Sequence, residues 1–331
     1  MAVSIQPAET SDLDAIVDLL MEDARQRQAK APALWKIAIG AEEKIRSALK
    51  AAMENEAPPF REQWLLAKSG LNIVGITHSA LVPVPPIYAG EFGSPGLIME
   101  DSFVSKAAPQ GTRSALLEAA EKDLVDAGAT ILLASSTEDE SWASEFVAQS
   151  YKPLTLYLAK SGFSDNGSTE HVRGATEEDV PEIVRSSAAN RSILCDLNSF
   201  WKPHPDANTR FGDWMTFSLA LTDRDLFVSE SDGAFEGYII SQPVTPLHIP
   251  RSHDLSLTGI IDDYFHGDFE EPGELKNGGK GAVDLLRAAE QALQGRGCDN
   301  ALVVCPAAWK SKIQLLESAG YKNAITWFIK R

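Results

Sequence analysis

Residues 98–104 read Ile-Met-Glu-Asp-Ser-Phe-Val, and residues 260–266 read Ile-Ile-Asp-Asp-Tyr-Phe-His. Each stretch sets two neighbouring acids between apolar residues, in a segment of the length of a buried strand. Two such similar stretches in one chain of 331 residues indicate an internal repeat. A repeat determines how the rest of the sequence is divided into domains.

The repeat extends to both sides of these stretches in ordered blocks. The first block begins with polar residues that favour a helix N-terminus and continues with apolar residues at helical spacing. The second has the pattern of two strands joined by a tight turn, and the third follows a shared helix. The blocks align without gaps, residues 8–16 with 175–183, 64–82 with 226–244, and 131–160 with 301–330.

Each copy therefore has the order strand, helical region, three strands, helix, strand, short helix, strand. This order predicts a mixed α/β fold, with helices packed on a mixed sheet, in two tandem domains. The predicted domains are residues 1–160 and 170–331, and the polar segment 161–169, which contains Gly and Ser, is the predicted linker.

Composition excludes several classes of protein. The chain has 30 Lys and Arg against 47 Asp and Glu, a formal net charge of −17, so nucleic acid and anionic membranes would repel it. No apolar run is long enough to span a bilayer, and the N-terminus lacks the apolar core of a signal peptide. The cysteines are odd in number, so we expect a reducing, cytoplasmic location without a disulfide framework, the three being Cys195, Cys298 and Cys305.

Familiar catalytic motifs are missing from the sequence. Residues 273–281 superficially resemble a phosphate-binding P-loop, but the Lys is one place late and no Ser or Thr follows. The six histidines have no metal-ligand spacing, and a metal held by Asp262, Asp263 and His266 is less expected than a solvated strand end. We therefore predict no metal site.

Two features remain that can carry chemistry. The loops at 105–114 and 267–281 place glycine and small residues before a helix, where backbone amides and the helix dipole attract anions. The alternative is an ordinary helix N-terminus. The acid pairs, Glu100-Asp101 and Asp262-Asp263, are costly inside an apolar strand unless they are paired. A buried carboxylate has a raised pKa and suits a general base, although a salt bridge at the strand end explains the pairs equally well.

With these elements in this order, the sequence resembles the GNAT superfamily of acyl-CoA-dependent N-acetyltransferases over nearly its whole length, twice. Residues 98–104 look like the family's fourth strand, and the helix from Ser114 looks like the helix after its pyrophosphate loop. Gly320-Tyr321 is similar to the Gly-Phe pair before the family's last strands. The resemblance implies two tandem GNAT-like domains, with acetyl-CoA as the acyl donor.

The resemblance also implies roles for individual residues. Glu100 matches the base that deprotonates the amine, Asp262 is its counterpart, and Asp101 is a third candidate catalytic acid. Gly111 matches the first glycine of the loop whose amides bind the CoA pyrophosphate. The residues implied to bind CoA are Phe103, Val104, Gln110, Gly111, Thr112, Arg113 and Ser114 in the first copy, and Gly279, Lys280, Gly281 and Ala282 in the second.

The predicted function is transfer of an acyl group, acetyl by expectation, to a primary amine of a small molecule or peptide. The negative charge favours a cationic amine. Two alternatives stay open, a degenerate tandem protein that binds CoA or a partner without chemistry, and an aminoacyl transferase that uses aminoacyl-tRNA, which the net charge disfavours. We expect the first copy to be the active one, because the second loop is longer and carries Asp268, Glu270 and Glu271.

Overall fold

The computed structural model describes residues 3–55, 60–137, 140–163, 169–246 and 249–331. The described part of the first half contains seven strands and four helices. In chain order they are β1 (Ser4–Pro7), α1 (Leu13–Lys30), α2 (Ala41–Glu54), β2 (Glu62–Ser69), β3 (Asn72–Leu81), β4 (Gly96–Ile98), β5 (Phe103–Val104), α3 (Thr112–Asp126), β6 (Leu132–Thr137), α4 (Glu140–Ala148) and β7 (Lys152–Ser161).

The second half repeats this order with one difference, because a single long strand replaces β4 and β5. Its elements are β8 (Val172–Gly174), α5 (Val180–Leu197), α6 (Ala207–Leu219), β9 (Asp225–Ser231), β10 (Ala234–Pro243), β11 (Thr258–His266), α7 (Lys280–Gly295), β12 (Asn300–Pro306), α8 (Lys310–Ser318) and β13 (Lys322–Lys330). The predicted fold class, helices on a mixed sheet in two similar halves, is confirmed. No helix in the described ranges has both the length and the apolar character to cross a membrane.

The helix starts follow from the polar residues noted in the sequence. Glu9 and Asp12 form a capping box in the turn before α1, and Thr176 and Asp179 form one before α5. Each cap satisfies amides that the first helical turn leaves without partners. The two first helices therefore begin at equivalent points of the repeat.

The strands form one continuous sheet that runs through both halves. Their order is β1-β2-β3-β4-β6-β13-β7-β12-β11-β10-β9-β8, with β5 beside β3. Neighbours are antiparallel except for β4 with β6 and β11 with β12, which are parallel. Parallel pairing ends at Ile98 and at Ile261, just before each acid pair, so both acid pairs lie where the parallel strands stop pairing.

The two halves exchange their last strands. β13 lies between β6 and β7, and β7 lies between β13 and β12. Phe328 of β13 packs in the apolar core of the first half, and Leu158 of β7 packs in the core of the second. The domain limits 1–160 and 170–331 stay a prediction, to which the structure adds that each half is completed by a strand from the other.

The proline-rich segments after β3 and β10 also cross between the halves. In one direction, His253 bridges to Ile37, and the amide of Ala38 donates to the carbonyl of Ser252. In the other direction, Tyr88 bridges to Pro203. Each half therefore covers part of the other, and the second half's segment reaches the acid pair of the first.

Candidate functional site

A bulge in the first half positions the acid pair. β3 pairs with β5 up to Ile76 and with β4 from Ser79 onward, so its two residues between these points lie opposite residues 99–102. The extra residues form a turn that carries Glu100 and Asp101, with His78 directly across from them. The pair thus lies in a turn between two strands, whereas the sequence pattern predicted a position inside one strand.

Glu100 is held from two directions. Its Oε2 accepts a hydrogen bond of 2.5 Å from the hydroxyl of Ser135 on β6. Its main-chain carbonyl accepts a hydrogen bond from the guanidinium of Arg27 on α1. Burial, and then the charge of Asp101, raise the pKa of Glu100 above its ordinary value. A carboxyl with a raised pKa can take and release a proton nearer to neutral pH.

Asp101 and His78 form an ion pair beside Glu100. Asp101 Oδ1 lies 2.9 Å from His78 Nδ1. Burial of the ring favours neutral histidine, but the charge and hydrogen bond of Asp101, with Glu62 and Glu100, outweigh it and raise the pKa of His78. Burial acts to raise the pKa of Asp101, but His78 and Arg27 lower it overall, so this acid stays ionised.

Trp64 fixes the plane of the His78 ring. The two residues are partners in the β2–β3 register, and their rings stack with centroids 3.8 Å apart and an interplanar angle of 9°. His78 is only 8% exposed, and its Nε2 has no hydrogen-bond partner among the described residues. A buried polar nitrogen without a partner is costly unless a ligand or water completes it.

These groups line a cavity of about 570 Å³. Most of its wall belongs to α1, α2, β2, β3 and the turn after β4. The second half closes one side with its proline-rich segment and the indole of Trp327. The apolar lining includes Leu20, Ile45, Leu49, Trp64, Leu97 and Met99, and the second half contributes Pro246, Pro250, Arg251, Ser252 and Trp327.

Charge in the cavity is mostly negative. Four carboxylates line it, of which Asp23 pairs with Arg27 and Asp101 with His78. Arg251 is the one Lys or Arg in the described lining. Apolar walls with carboxylates at one side suit an amine that has an apolar body. The carboxylates are Asp23, Glu62, Glu100 and Asp101.

The N-terminus of α3 is open in the first half. Gly111 is its N-cap residue, with φ +83°, and a Cβ added there would meet nothing within 4 Å. Gln110 and Gly111 are exposed, whereas Phe103 is buried and Val104 is half-buried in β5. This end of the helix has the backbone conformation and the free space that an anion needs.

The next residues of α3 make side-chain contacts within the fold. Thr112 Oγ1 donates to the carbonyl of Pro109 at 2.7 Å, and Ser114 Oγ donates to Glu145 Oε1 at 2.6 Å. The guanidinium of Arg113 lies over the ring of Trp142, 5.4 Å from its centroid. These three side chains support the loop, and the amide of Thr112 donates to the carbonyl of Pro109 at 3.2 Å. The amides that follow Thr112 and the helix dipole are therefore the groups that an anion would meet.

The N-terminus of α7 in the second half is different, because a carboxylate of the chain itself occupies it. Asp268 is 4% exposed, and its Oδ2 accepts a hydrogen bond of 3.1 Å from the amide of Ala282. Its Oδ1 accepts one of 3.0 Å from Asn277. His266 lies 3.4 Å from the same carboxylate. The amide predicted to bind pyrophosphate therefore already has an anionic partner.

Space is also lacking around the second-half glycines. A Cβ at Gly281 would lie 2.7 Å from the ring of His266, and one at Gly279 would lie 2.8 Å from Leu315. Gly279 has φ +72°, and Lys280 begins α7 directly after it. The four predicted CoA-binding residues of this half thus sit on a filled loop.

Apolar and cationic side chains fill the region behind that loop. Phe269 is fully buried against Tyr264, Phe265 and Trp309. Lys312 is buried with them and donates to the carbonyl of Tyr264 at 2.8 Å. This cluster fills the space between β11 and α8.

The acid pair of the second half is built into the sheet. Asp262 is exposed on β11, and Asp263 accepts hydrogen bonds from Tyr238 at 2.6 Å and from Asn190 at 3.4 Å. Asp262 is more exposed than Glu100, its counterpart in the repeat, yet the protein around it and the charge of Asp263 still raise its pKa to about 6.

Sequence reasoning missed His78 and Trp64, although the repeat contained a signal for them. With Gly75 aligned to Gly237, they correspond to Ile240 and Leu226. The structure pairs Ile240 with Leu226 in the same register as His78 with Trp64. A histidine–tryptophan pair in one copy, where the other has two aliphatic residues, marks the half with the polar cavity.

Solved structures provide the comparison for this architecture. Over 99% of its length the chain is similar to a GCN5-related N-acetyltransferase from Sphaerobacter thermophilus, of which it covers 95%, with a TM-score of 0.56 and 14% identity. It is also similar to a tandem GNAT protein from the clavulanic acid biosynthesis pathway, with 13% identity, a TM-score of 0.48, and 99% and 98% of the two chains covered. A GNAT-family acetyltransferase from Colwellia psychrerythraea has 10% identity and a TM-score of 0.49, with 98% of each chain covered.

No protein-family model and no curated protein matches the sequence. At these identities the likeness concerns the fold alone. The chain has the fold of the GNAT acetyltransferases, and the resemblance predicted from the sequence is confirmed at that level. Among the described residues, no group of three or more His, Cys, Asp or Glu could hold a metal ion.

Proposed function

We propose that this protein is an acyl-CoA-dependent N-acyltransferase, and that its first half carries the reaction. The observation that supports this most is that one half has both a cavity lined by Glu100 and an open α3 N-terminus at Gly111. The acyl donor supplies an activated thioester. The expected acyl group is acetyl, and the expected acceptor is a primary amine of a small molecule or a peptide.

The first half's own residues have the following roles in this proposal. The amides of Arg113 and Ser114 and the dipole of α3 hold the pyrophosphate, and the side chains of Lys106 and Arg113 add positive charge. The main chain of Phe103 and Val104 lies alongside the pantetheine arm. Holding the two reactants together supplies a large part of the rate.

Glu100 accepts a proton from the amine as the new bond forms. Its raised pKa suits it for this role. The cavity's carboxylates draw in a cationic amine, and its apolar wall takes the rest of the acceptor. Exclusion of water by the second half's proline-rich segment strengthens these interactions.

Degeneration of the CoA site, the feature of the rival interpretation, fits the second half alone. There Asp268 occupies the α7 N-terminus, and Phe269 and Lys312 fill the space behind it. We propose that this half binds no CoA and serves to complete the first half's cavity.

Substitutions at Gly111 test the proposed CoA site. Gly111→Asp puts a carboxylate where Asp268 stands in the second half, and Asp tolerates positive φ better than most residues. We expect the affinity for acetyl-CoA, measured by calorimetry, to fall about tenfold or more, because like charges repel. Gly111→Asn has the same backbone cost without the charge and should retain most of the affinity.

Asp268→Asn is the matched change in the second half and should leave acetyl-CoA affinity unchanged. Release of free thiol from acetyl-CoA, measured across a panel of primary amines, then tests turnover. No binding of acetyl-CoA to the unmodified protein at millimolar concentration would contradict the enzyme proposal and favour the binding protein. Loss of binding in Asp268→Asn alone would move the CoA site to the second half.

A further inference from the structure

His78 is a titratable group at the cavity that the proposed reaction does not yet use. It is buried on β3, and its Nδ1 is committed to Asp101 at 2.9 Å. Its other nitrogen, Nε2, has no partner among the described residues. Because Asp101 is ionised, neutral His78 keeps its proton on Nδ1, and Nε2 is left as an acceptor.

The proton balance of the proposed reaction needs more than one acceptor. An alkylamine enters as an ammonium ion at neutral pH. Transfer from the thioester forms an N–C bond and breaks a C–S bond, and the nitrogen loses two protons. One of them ends on the departing thiol, and the other must leave the ammonium ion before the nitrogen can attack. Glu100 is assigned only the proton that the nitrogen loses as the N–C bond forms, so the earlier proton of the ammonium ion still needs an acceptor.

We propose that His78, oriented by Asp101 and Trp64, takes the first proton from the ammonium form of the acceptor through Nε2. Asp101 holds the tautomer and stabilises the imidazolium that forms, and Trp64 holds the ring plane. The proton then leaves His78 to solvent before the next cycle. This inference rests on the proposed function, and it makes a basic alkylamine the expected acceptor class.

The surroundings of His78 favour this role. From β2 it is faced by Glu62 and Trp64, and from the turn by Glu100 and Asp101. Helix α1 brings Asp23 to the same cavity and Arg27 to the main-chain carbonyl of Glu100. The carboxylates stabilise an ammonium ion and so oppose its deprotonation. The charge of Asp101 raises the pKa of His78, so this ring is a stronger base than a free imidazole and removes the proton at a lower cost.

The repeat provides an internal comparison. The second half keeps an acid pair on β11 but has Ile240 where the first half has His78, and Leu226 where it has Trp64. The half with the filled anion site is thus also the half without the histidine. The occupied α7 N-terminus and the missing histidine both fit a second half that carries out no acyl transfer and therefore needs no proton acceptor.

Nuclear magnetic resonance of 15N-histidine-labelled protein tests the arrangement without turnover. His78 signals are those lost in His78→Gln. We expect neutral His78 to carry its proton on Nδ1, and Asp101→Asn to move its titration to lower pH. 2-Phenylethylamine should shift the Nε2 signal. A proton on Nε2 in the neutral ring, the same titration in Asp101→Asn, or no response to the amine would each overturn the proposal.

Kinetics with two acceptors of similar size separate His78 from Glu100. 2-Phenylethylamine is a strong base, whereas O-benzylhydroxylamine is weakly basic and enters as the free amine. At pH 7, His78→Gln should lower kcat/KM for the first by about 10²-fold or more and change it little for the second. Glu100→Gln should impair both, and an equal loss for both in His78→Gln would overturn the role.

Further controls keep the outcomes distinct. In the unmodified protein, kcat/KM should rise with pH as His78 loses its proton, and Asp101→Asn should shift this rise to lower pH. His171→Gln changes an exposed histidine of the second half, outside the cavity lining, and should leave the pH profile unchanged. If His78→Gln does not fold, the shift of the pH profile in Asp101→Asn tests the role of His78 instead. If neither amine is acylated by the unmodified protein, the proposed function fails for these probes, while the resonance experiment still decides the state of His78.

Discussion

At the residue scale, burial distinguishes the two acids that the repeat sets in equivalent places. Glu100 is 8% exposed and bonded to Ser135, whereas Asp262 is exposed on its strand. Similar strand patterns therefore give two carboxyls that differ in exposure, although surrounding protein and a neighbouring acid raise the pKa of both. The difference comes from the bulge opposite His78, which turns Glu100 inward.

Substitution of each acid measures this difference. Glu100→Gln should keep the fold and the acetyl-CoA affinity while lowering turnover by about 10²–10⁴-fold, the usual contribution of a general base. Asp262→Asn should change turnover little. Steady-state rates of both variants with the same amine provide the measurement. A larger loss in Asp262→Asn would place the reaction in the second half.

The sequence was sufficient to identify these acids but not the histidine beside them. Glu100 and Asp101 stand out because charge is unusual between apolar residues. His78 comes close to Asp101 only through the register of β3 against the bulge, and register depends on pairing distant in the chain. The same limit applies to the cavity's far wall, since no local pattern indicates that residues 249–255 pack against the first half.

At the element scale, the decisive contrast is between the N-termini of α3 and α7. Both helices begin directly after a glycine that has positive φ. Only α7 has an internal anion, because the longer second loop folds back far enough to bring in Asp268. Loop length, more than the glycines themselves, decides whether the helix end can accept a ligand.

Removal of that internal anion should reduce stability without affecting turnover. Asp268→Ala leaves the amide of Ala282 and the side chain of Asn277 without their partner, which should cost about 1–3 kcal/mol in the free energy of unfolding. Urea denaturation measures this. Glu270→Ala, an exposed change in the same loop, is the control and should have little effect. A fall in acylation rate in Asp268→Ala at full folding would show that this half takes part in the reaction.

At the scale of the whole molecule, the repeat does not produce two independent bodies. The last strand of the second half, β13, lies beside β6 of the first, and the last strand of the first half, β7, lies beside β12 of the second; each supplies a core residue to the other half. The gap-free alignment of residues 131–160 with 301–330 shows that the two last strands are equivalent. It contains no information on which half each one joins, because both strands are apolar and of similar length.

The exchange predicts that the halves unfold together. Phe328→Ala, near the C-terminus, removes a ring from the first half's core and should cost about 3–5 kcal/mol, and Leu158→Ala should cost the second half about 2–5 kcal/mol. Hydrogen exchange in urea, followed for peptides from each half, should give one shared transition that both variants move to lower urea. Leu71→Ala, at a fully exposed position, should leave the midpoint unchanged. The coupling is expected because β13 pairs with β6 over residues 325–330 and with β7 over residues 322–329. Separate transitions, or an effect of Phe328→Ala confined to the second half, would mean that the exchanged strands do not couple the halves.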